Sequence, residues 1–180
     1  WGNRVYLSGA TADEREVYCF DTETGALVWR RKLDKLPGSP DTAPEVSHDT
    51  GYAAPTLAAH GDRAFAIFAN GDVVCLNAGG DVVWGKNLGA PDNHYGHASS
   101  LLAYQNLLFV QFDDKSNPRL LALDIADGRR AWTAKRQYIS WASPVCVQGA
   151  RGPELVLNSE KNVDAYDPLT GKALWSLACL

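Results

Sequence analysis

Residues 54–88 run as four short apolar stretches cut by turn residues: APTLAAH, then RAFAIFA after Gly-Asp, then VVCLN after Asn-Gly-Asp, then VVWGKNL after Ala-Gly-Gly-Asp. Stretches of five to seven residues bounded by Gly, Asn and Asp read as strands joined by tight turns. The same grouping returns as SSLLAY, LLFVQF, RLLALD and RRAWTAK over 99–135, and as SPVCVQ, ELVLNSE, NVDAYD and KALWSLA over 143–178. Ahead of them come RVYLSG, EVYCFD and ALVWRRK, with no stretch to serve as a first strand. No window keeps a helical period, and Pro or Gly interrupts every candidate. The pattern predicts antiparallel units of four strands.

The third turn of each unit carries a repeated phrase: CFDTETGALVW at 19–29, CLNAGGDVVW at 75–84, ALDIADGRRAW at 122–132 and AYDPLTGKALW at 165–175. Its tryptophans, Trp29, Trp84, Trp132 and Trp175, lie 55, 48 and 43 residues apart. That period suits propeller blades. A helical solenoid can share it, but four strands per unit select the propeller. The chemistry of the phrase is that of a turn. Asp21, Asn77, Asp124 and Asp167 end the third strand, where a short polar side chain accepts turn N–H groups. Gly25, Gly128 and Gly171 supply the left-handed backbone of a tight hairpin. The tryptophan, on the outer strand, can lay its face on the next blade and place its N–H on a partner. These residues are expected to dock blades. Four copies argue against catalysis, because an active site is normally singular.

The predicted fold is therefore all-β, a propeller of four-stranded antiparallel blades in one partial domain over 1–180. The approximate blades are 1–34, without a first strand, then 53–89, 98–136 and 142–180.

Composition narrows the function classes. The chain of 180 residues is 46% apolar and 21% charged, enough for one domain with a core. A net charge of −4 with interspersed signs offers nothing to a nucleic-acid backbone. No apolar stretch approaches the roughly 20 residues of a membrane helix. Cys19, Cys75, Cys146 and Cys179 stand far apart with no CxxC, so neither a structural zinc site nor a redox motif is supported. Cys19 and Cys75 occupy the motif position that Ala122 and Ala165 fill elsewhere, which marks a small buried residue.

Small-x-Asp-x-x-Thr-Gly-Lys-x-x-Trp, complete in Ala165, Asp167, Thr170, Gly171, Lys172 and Trp175, resembles the tryptophan-docking motif of the PQQ-like (quinoprotein-type) β-propeller repeat family. The other copies match in part, and the resemblance covers the whole chain. It implies a ring of seven or eight blades, hence a segment needing the remaining blades, or a second copy, to close. It implies a periplasmic or secreted location. Quinoprotein dehydrogenases of the family set an adjacent Cys–Cys pair and a Trp against PQQ, with carboxylate or amide ligands to calcium. No Cys–Cys pair occurs here, and FDDKSNP at 112–118 reads as a solvated hairpin tip. No cofactor is expected on this chain, PQQ entering only by family analogy. Non-catalytic relatives include uncharacterised secreted repeat proteins and, more distantly, a lipoprotein of outer-membrane β-barrel assembly.

Three connections do not repeat: Pro44 to Pro55, Ala90 to Ser100 and Gln137 to Pro144. Each joins an outer strand to the next inner strand, so all emerge opposite the Gly turns and end at the central channel. They carry His48, Asp49, Tyr52, Asn93, His94, Tyr95, His97, Ser99, Tyr138, Trp141 and Ser143. Polar and aromatic loops on a rigid scaffold make a binding site for a small molecule or a protein partner. The competing expectation is that they cap the channel by bonding loop backbone. His94 and His97 are the weaker metal candidates, and no nucleophile motif is present. The expected function is a non-catalytic binding or scaffolding segment, with a quinoprotein dehydrogenase or a carbohydrate-binding propeller as alternatives.

Overall fold

In the computed structural model, which describes residues 1–179, the chain is four antiparallel sheets in sequence, with no helix among the described residues. The first has three strands: β1 (Arg4–Ala10), β2 (Arg15–Asp21) and β3 (Leu27–Lys32). The second holds β4 (Ala58–His60), β5 (Arg63–Ile67), β6 (Asp72–Asn77) and β7 (Val82–Asn87). The third holds β8 (Leu102–Tyr104), β9 (Leu107–Phe112), β10 (Arg119–Asp124) and β11 (Arg130–Lys135). The fourth holds β12 (Val145–Gly149), β13 (Gly152–Asn158), β14 (Asn162–Tyr166) and β15 (Ala173–Ala178). Strands pair in chain order within each sheet, as in propeller blades.

The core lies between sheets. Val17 and Leu33 of the first unit meet Ala66, Phe68, Val74 and Leu76 of the second. Phe65, Ile67, Val73 and Cys75 meet Leu108, Val110, Phe112, Leu121 and Leu123. Leu107, Phe109, Leu120 and Ala122 meet Leu155, Leu157 and Tyr166. Alternate residues of β9 thus face opposite neighbours. A strand covered on both sides gains from apolar side chains at every position, which is why LLFV reads as a continuous run rather than an alternation.

The repeated phrase is a hairpin with a bulge. Cys19, Cys75, Ala122 and Ala165 pair directly across from Trp29, Trp84, Trp132 and Trp175, and the register shifts at the following residue each time. All four small residues are fully buried. A larger side chain there would meet the indole across the ladder. Asp167 Oδ1 accepts the N–H of Leu169 at 2.8 Å and of Thr170 at 2.9 Å, and Asp21 holds Glu23 and Thr24 in the same way. Asp124 accepts from Ala126 at 2.8 Å. Asn77 performs the shorter version with Gly79 and Asp81, both at 2.9 Å.

Three of the tryptophans close a joint with the next sheet. Trp29 Nε1 donates to the Ala78 carbonyl at 2.9 Å, Trp84 to Ile125 at 2.8 Å and Trp132 to Pro168 at 3.2 Å. Each ring lies flat on the turn glycine of that next sheet. A Cβ on Gly80, Gly128 or Gly171 would come within 2.6, 2.7 or 2.5 Å of the tryptophan ring above it. The glycine therefore has two duties, a positive φ and a bare surface. Gly25 has the first alone: its φ is 68°, yet nothing lies within 4 Å of its Cβ position. Trp175, in turn, bonds Glu154 of its own sheet at 2.8 Å.

Candidate functional site

The connections 33–57, 88–101 and 136–144 lie on the face opposite the glycine turns, as strand order requires. A serine ladder stitches them together. Thr56 N–H donates to Ser100 Oγ at 3.1 Å, and Ser100 N–H donates to Ser143 Oγ at 3.0 Å. Each bond joins one inter-sheet connection to the next.

On the second and third of these connections three aromatic groups meet. The His94 and Tyr95 rings are edge-to-face with centroids 4.7 Å apart, and Tyr95 and Trp141 are edge-to-face at 4.9 Å. Trp141 comes from a different connection and is 45% exposed, a large apolar surface open to solvent. Asn93 sets the geometry: its Oδ1 accepts Tyr95 N–H at 2.8 Å, while its amide donates to the Asp113 carbonyl. Tyr138 is half-buried, with the Lys161 ammonium 5.2 Å from its ring.

Other residues of the expected set are placed apart from this cluster. His97 is buried, donates Nε2–H to the Gly89 carbonyl at 2.9 Å and stands edge-on to Phe112 at 5.2 Å. Ser99 is buried and bonds Asp113 at 3.0 Å. His48 and Asp49 sit exposed in a turn closed by Gly51 N–H on the Ser47 carbonyl, with no side-chain hydrogen bond to the aromatic cluster. Tyr52 is half-buried and borders a cavity between the first and second sheets. Among the described residues no group of three or more His, Cys, Asp or Glu is placed to hold a metal ion.

Burial pushes the His97 imidazole down to about 4, only partly offset by the Gly89 carbonyl and by Asp113, with Arg119 opposing. The folded ring is therefore neutral at pH 7. The unfolded ring takes a proton near its ordinary value of 6.5, so stability is lost as pH falls from there toward 4. Lowering the pH from 7 to 4.5 should remove about 2–3 kcal/mol through this residue. Urea unfolding of the wild type and of His97→Gln at both pH values checks it. The variant should lose that much less stability on acidification; an equal loss in both would show that His97 does not titrate this way.

Beneath the 137–144 loop lies an ion pair that the sequence did not disclose. Arg136 Nη1 and Asp113 Oδ1 are 2.6 Å apart, with side-chain exposures of 0% and 4%. The Asp113 carboxylate also accepts Ser140 N–H at 3.0 Å, Ser99 Oγ–H at 3.0 Å and Gln111 Nε2–H at 2.7 Å. Arg136 reaches the next sheet through the Asn158 carbonyl at 3.0 Å. This corrects the reading of FDDKSNP as a solvated hairpin tip. Asp113 is interior, and only the part from Asp114 onward is a surface turn, with Asp114 accepting from Ser116 and Asn117.

The fit of a quinone–calcium centre can be tested on the donor set. Cys19 and Cys75 are buried under different tryptophans, Cys146 and Cys179 lie in the fourth unit, and all four are free. Burial raises the Cys75 thiol to about 11. With no adjacent thiols and no acidic cluster among the described residues, these residues do not fit such a centre.

Solved structures resemble the chain throughout. A europium-containing methanol dehydrogenase is 15% identical, with 99% of this chain and 40% of that one covered at a TM-score of 0.67. BamB from Moraxella catarrhalis is 15% identical, with 96% and 51% covered at 0.61. A quinohemoprotein alcohol dehydrogenase from Comamonas testosteroni is 15% identical, with 98% and 33% covered at 0.70. At this identity they share the fold, and the chain spans from a third to about half of their length. No curated protein matches the sequence significantly. The family model described as outer membrane protein assembly factor BamB matches residues 13–179. With that match over nearly the whole sequence, and the tryptophan–glycine joint built three times, the chain belongs to the PQQ-like β-propeller repeat family.

Proposed function

We propose that the chain is a non-catalytic binding and scaffolding segment of a propeller in the cell envelope or outside the cell, and that its loop face recognises a protein partner. The observation that carries this reading is the His94–Tyr95–Trp141 cluster. It is assembled from two connections, exposed at Trp141, and held by Asn93. Large amphipathic aromatics on a rigid base are the usual anchors of protein interfaces. The family description, an outer membrane assembly factor, supports an envelope partner.

The end faces fit further sheets of the same repeat, from the remaining blades or a second copy. Gly25 offers a bare turn, and Trp175 a ring, for the joint formed three times inside the chain. Val5, Leu7, Val145 and Leu177 are exposed on these two sheets.

A photo-crosslinking residue at 141, and a control at Thr170 on the turn face, tests the recognition surface in cells. Discrete protein adducts are expected from 141 and not from 170. His94→Ala should abolish them while shifting the melting temperature by no more than about 2 °C, the effect of roughly half a kcal/mol in a domain of this size. Adducts from 170 alone would overturn the reading. Retention on a glycan array, lost in Trp141→Ala, would favour the carbohydrate-binding alternative.

A further inference from the structure

A cavity of about 480 Å³ lies between the first two sheets on the loop face, walled by the β1–β2 loop, the β3–β4 connection and the β5–β6 loop. It lies apart from the aromatic cluster, which belongs to the second and third connections. Its volume is within the range of small-molecule pockets. Two side chains in its wall have unused bonding capacity of opposite kinds.

The first is Arg15, which stands at the start of β2 with its side chain 15% exposed. Its Nε faces Asp72 Oδ2 at 3.0 Å as an ion pair, but in an alignment that leaves this buried N–H without a hydrogen bond. Its two terminal nitrogens are not sealed from solvent as Nε is, and no side chain or carbonyl of the described residues bonds them. Asp72 does not need them. It already accepts Ser39 Oγ–H at 2.5 Å, Asn70 Nδ2–H at 2.8 Å and Asn87 Nδ2–H at 2.8 Å. The guanidinium, which lines the cavity, thus keeps one desolvated N–H unpaired, at Nε, and a donor left so is costly. Its natural complement is a planar pair of oxygens, a carboxylate.

The second is Asp13 in the β1–β2 loop. Its backbone N–H bonds Thr11 Oγ1, but its carboxylate accepts no hydrogen bond and faces no cation among the described residues. The other charges of the wall, Lys35 and Asp41, pair with each other. The cavity therefore presents a guanidinium edge, paired on its Nε side with Asp72, and the exposed, unpaired carboxylate of Asp13, with Leu33, Tyr52 and Phe68 as apolar wall. A simple anion would meet Asp13 unpaired, and a simple cation would meet Arg15 unpaired. A ligand carrying both charges satisfies both.

We propose that this cavity binds a small zwitterion of the α-amino acid class, its carboxylate on the Arg15 fork, its ammonium at Asp13 and its side chain against Tyr52 and Phe68. Binding is non-covalent and moves no proton.

Calorimetric titration of the 180-residue chain with leucine, N-acetylleucine and leucinamide tests this. Leucine should bind saturably with one site per chain. N-acetylleucine, without an ammonium, and leucinamide, without a carboxylate, should each bind at least about tenfold more weakly, the value of one charged hydrogen bond. Asp13→Asn should weaken leucine by a similar factor and should not weaken N-acetylleucine, whose carboxylate it relieves of a like charge. Arg15→Lys keeps the charge beside Asp72 but removes the fork, and should weaken both. Asp13 is exposed and bears no packing role, so its variant remains informative if Arg15→Lys lowers stability. Absence of saturable heat with leucine up to about 10 mM, a free energy of under 3 kcal/mol, would overturn the proposal. So would leucine binding that both variants leave unchanged.

Discussion

Arg136→Met should destabilise the chain by about 3–5 kcal/mol in urea unfolding, a large part of the roughly 5–15 kcal/mol that holds a domain folded. The methionine fills much of the same space, so the loss comes from charge. Asp113 would remain 4% exposed, still bonded by Ser140, Ser99 and Gln111 but stripped of its cation. Those neutral donors cannot replace a guanidinium at 2.6 Å. The Asn158 carbonyl of the next sheet would lose its donor as well. The consequence reaches the candidate site, because Asp113 holds the backbone of Ser140, next to Trp141. Crosslinking from position 141 should therefore weaken in this variant. A loss below about 1 kcal/mol would mean that water enters and solvates Asp113, and that the loop is not anchored as described.

Gly128→Val should cost about 3–5 kcal/mol, through two effects of different origin. The first is local. Gly128 has φ of 70°, and a β-branched residue pays at least about 1–2 kcal/mol for the left-handed backbone. The second is the joint. A Cβ would sit 2.7 Å from Trp84 Cε3, so the ring must lift from the turn. Lifting it loosens its contact with Phe65, whose ring centroid is 6.1 Å away, and stretches its bond to the Ile125 carbonyl. Aromatic packing and one hydrogen bond together contribute about 2–3 kcal/mol. The turn itself should persist, since Asp124 and the Gly128 N–H bond to its carbonyl at 2.8 Å remain. What separates is one sheet from its neighbour.

Much of the fold was legible because its determinants are local. Turn residues at short spacing, and a phrase repeated four times, specify strand, hairpin and period without knowledge of what lies opposite. The three-strand first sheet followed from the same reading, as did the small buried residue of the phrase. The bare face of the turn glycine was not legible, because the ring that needs it comes from the preceding sheet, 44 residues earlier for Trp84 and Gly128. Asp113 and Arg136 were hidden for the same reason, being 23 residues apart and joined only by the folding of a sheet. In the aperiodic loops, residue type gave no guide to burial. His94 and His97 look alike in sequence, yet one is exposed and the other is sealed against Phe112. Arg15 and Asp13 gave no signal at all, since their cavity exists only where loops of two sheets meet.

The central claim is that the repeated phrase fastens sheet to sheet, leaving recognition to the opposite face. Comparing Gly25→Ala with Gly128→Ala in the 180-residue chain tests it most directly. The two glycines share a left-handed φ, 68° and 70°, and the same motif position, but only Gly128 lies under a tryptophan. Gly25→Ala should lose about 1 kcal/mol, the backbone term alone, and Gly128→Ala about 2–3 kcal/mol more. Equal losses would mean that the glycine serves only its own hairpin, and that the phrase does not join the sheets.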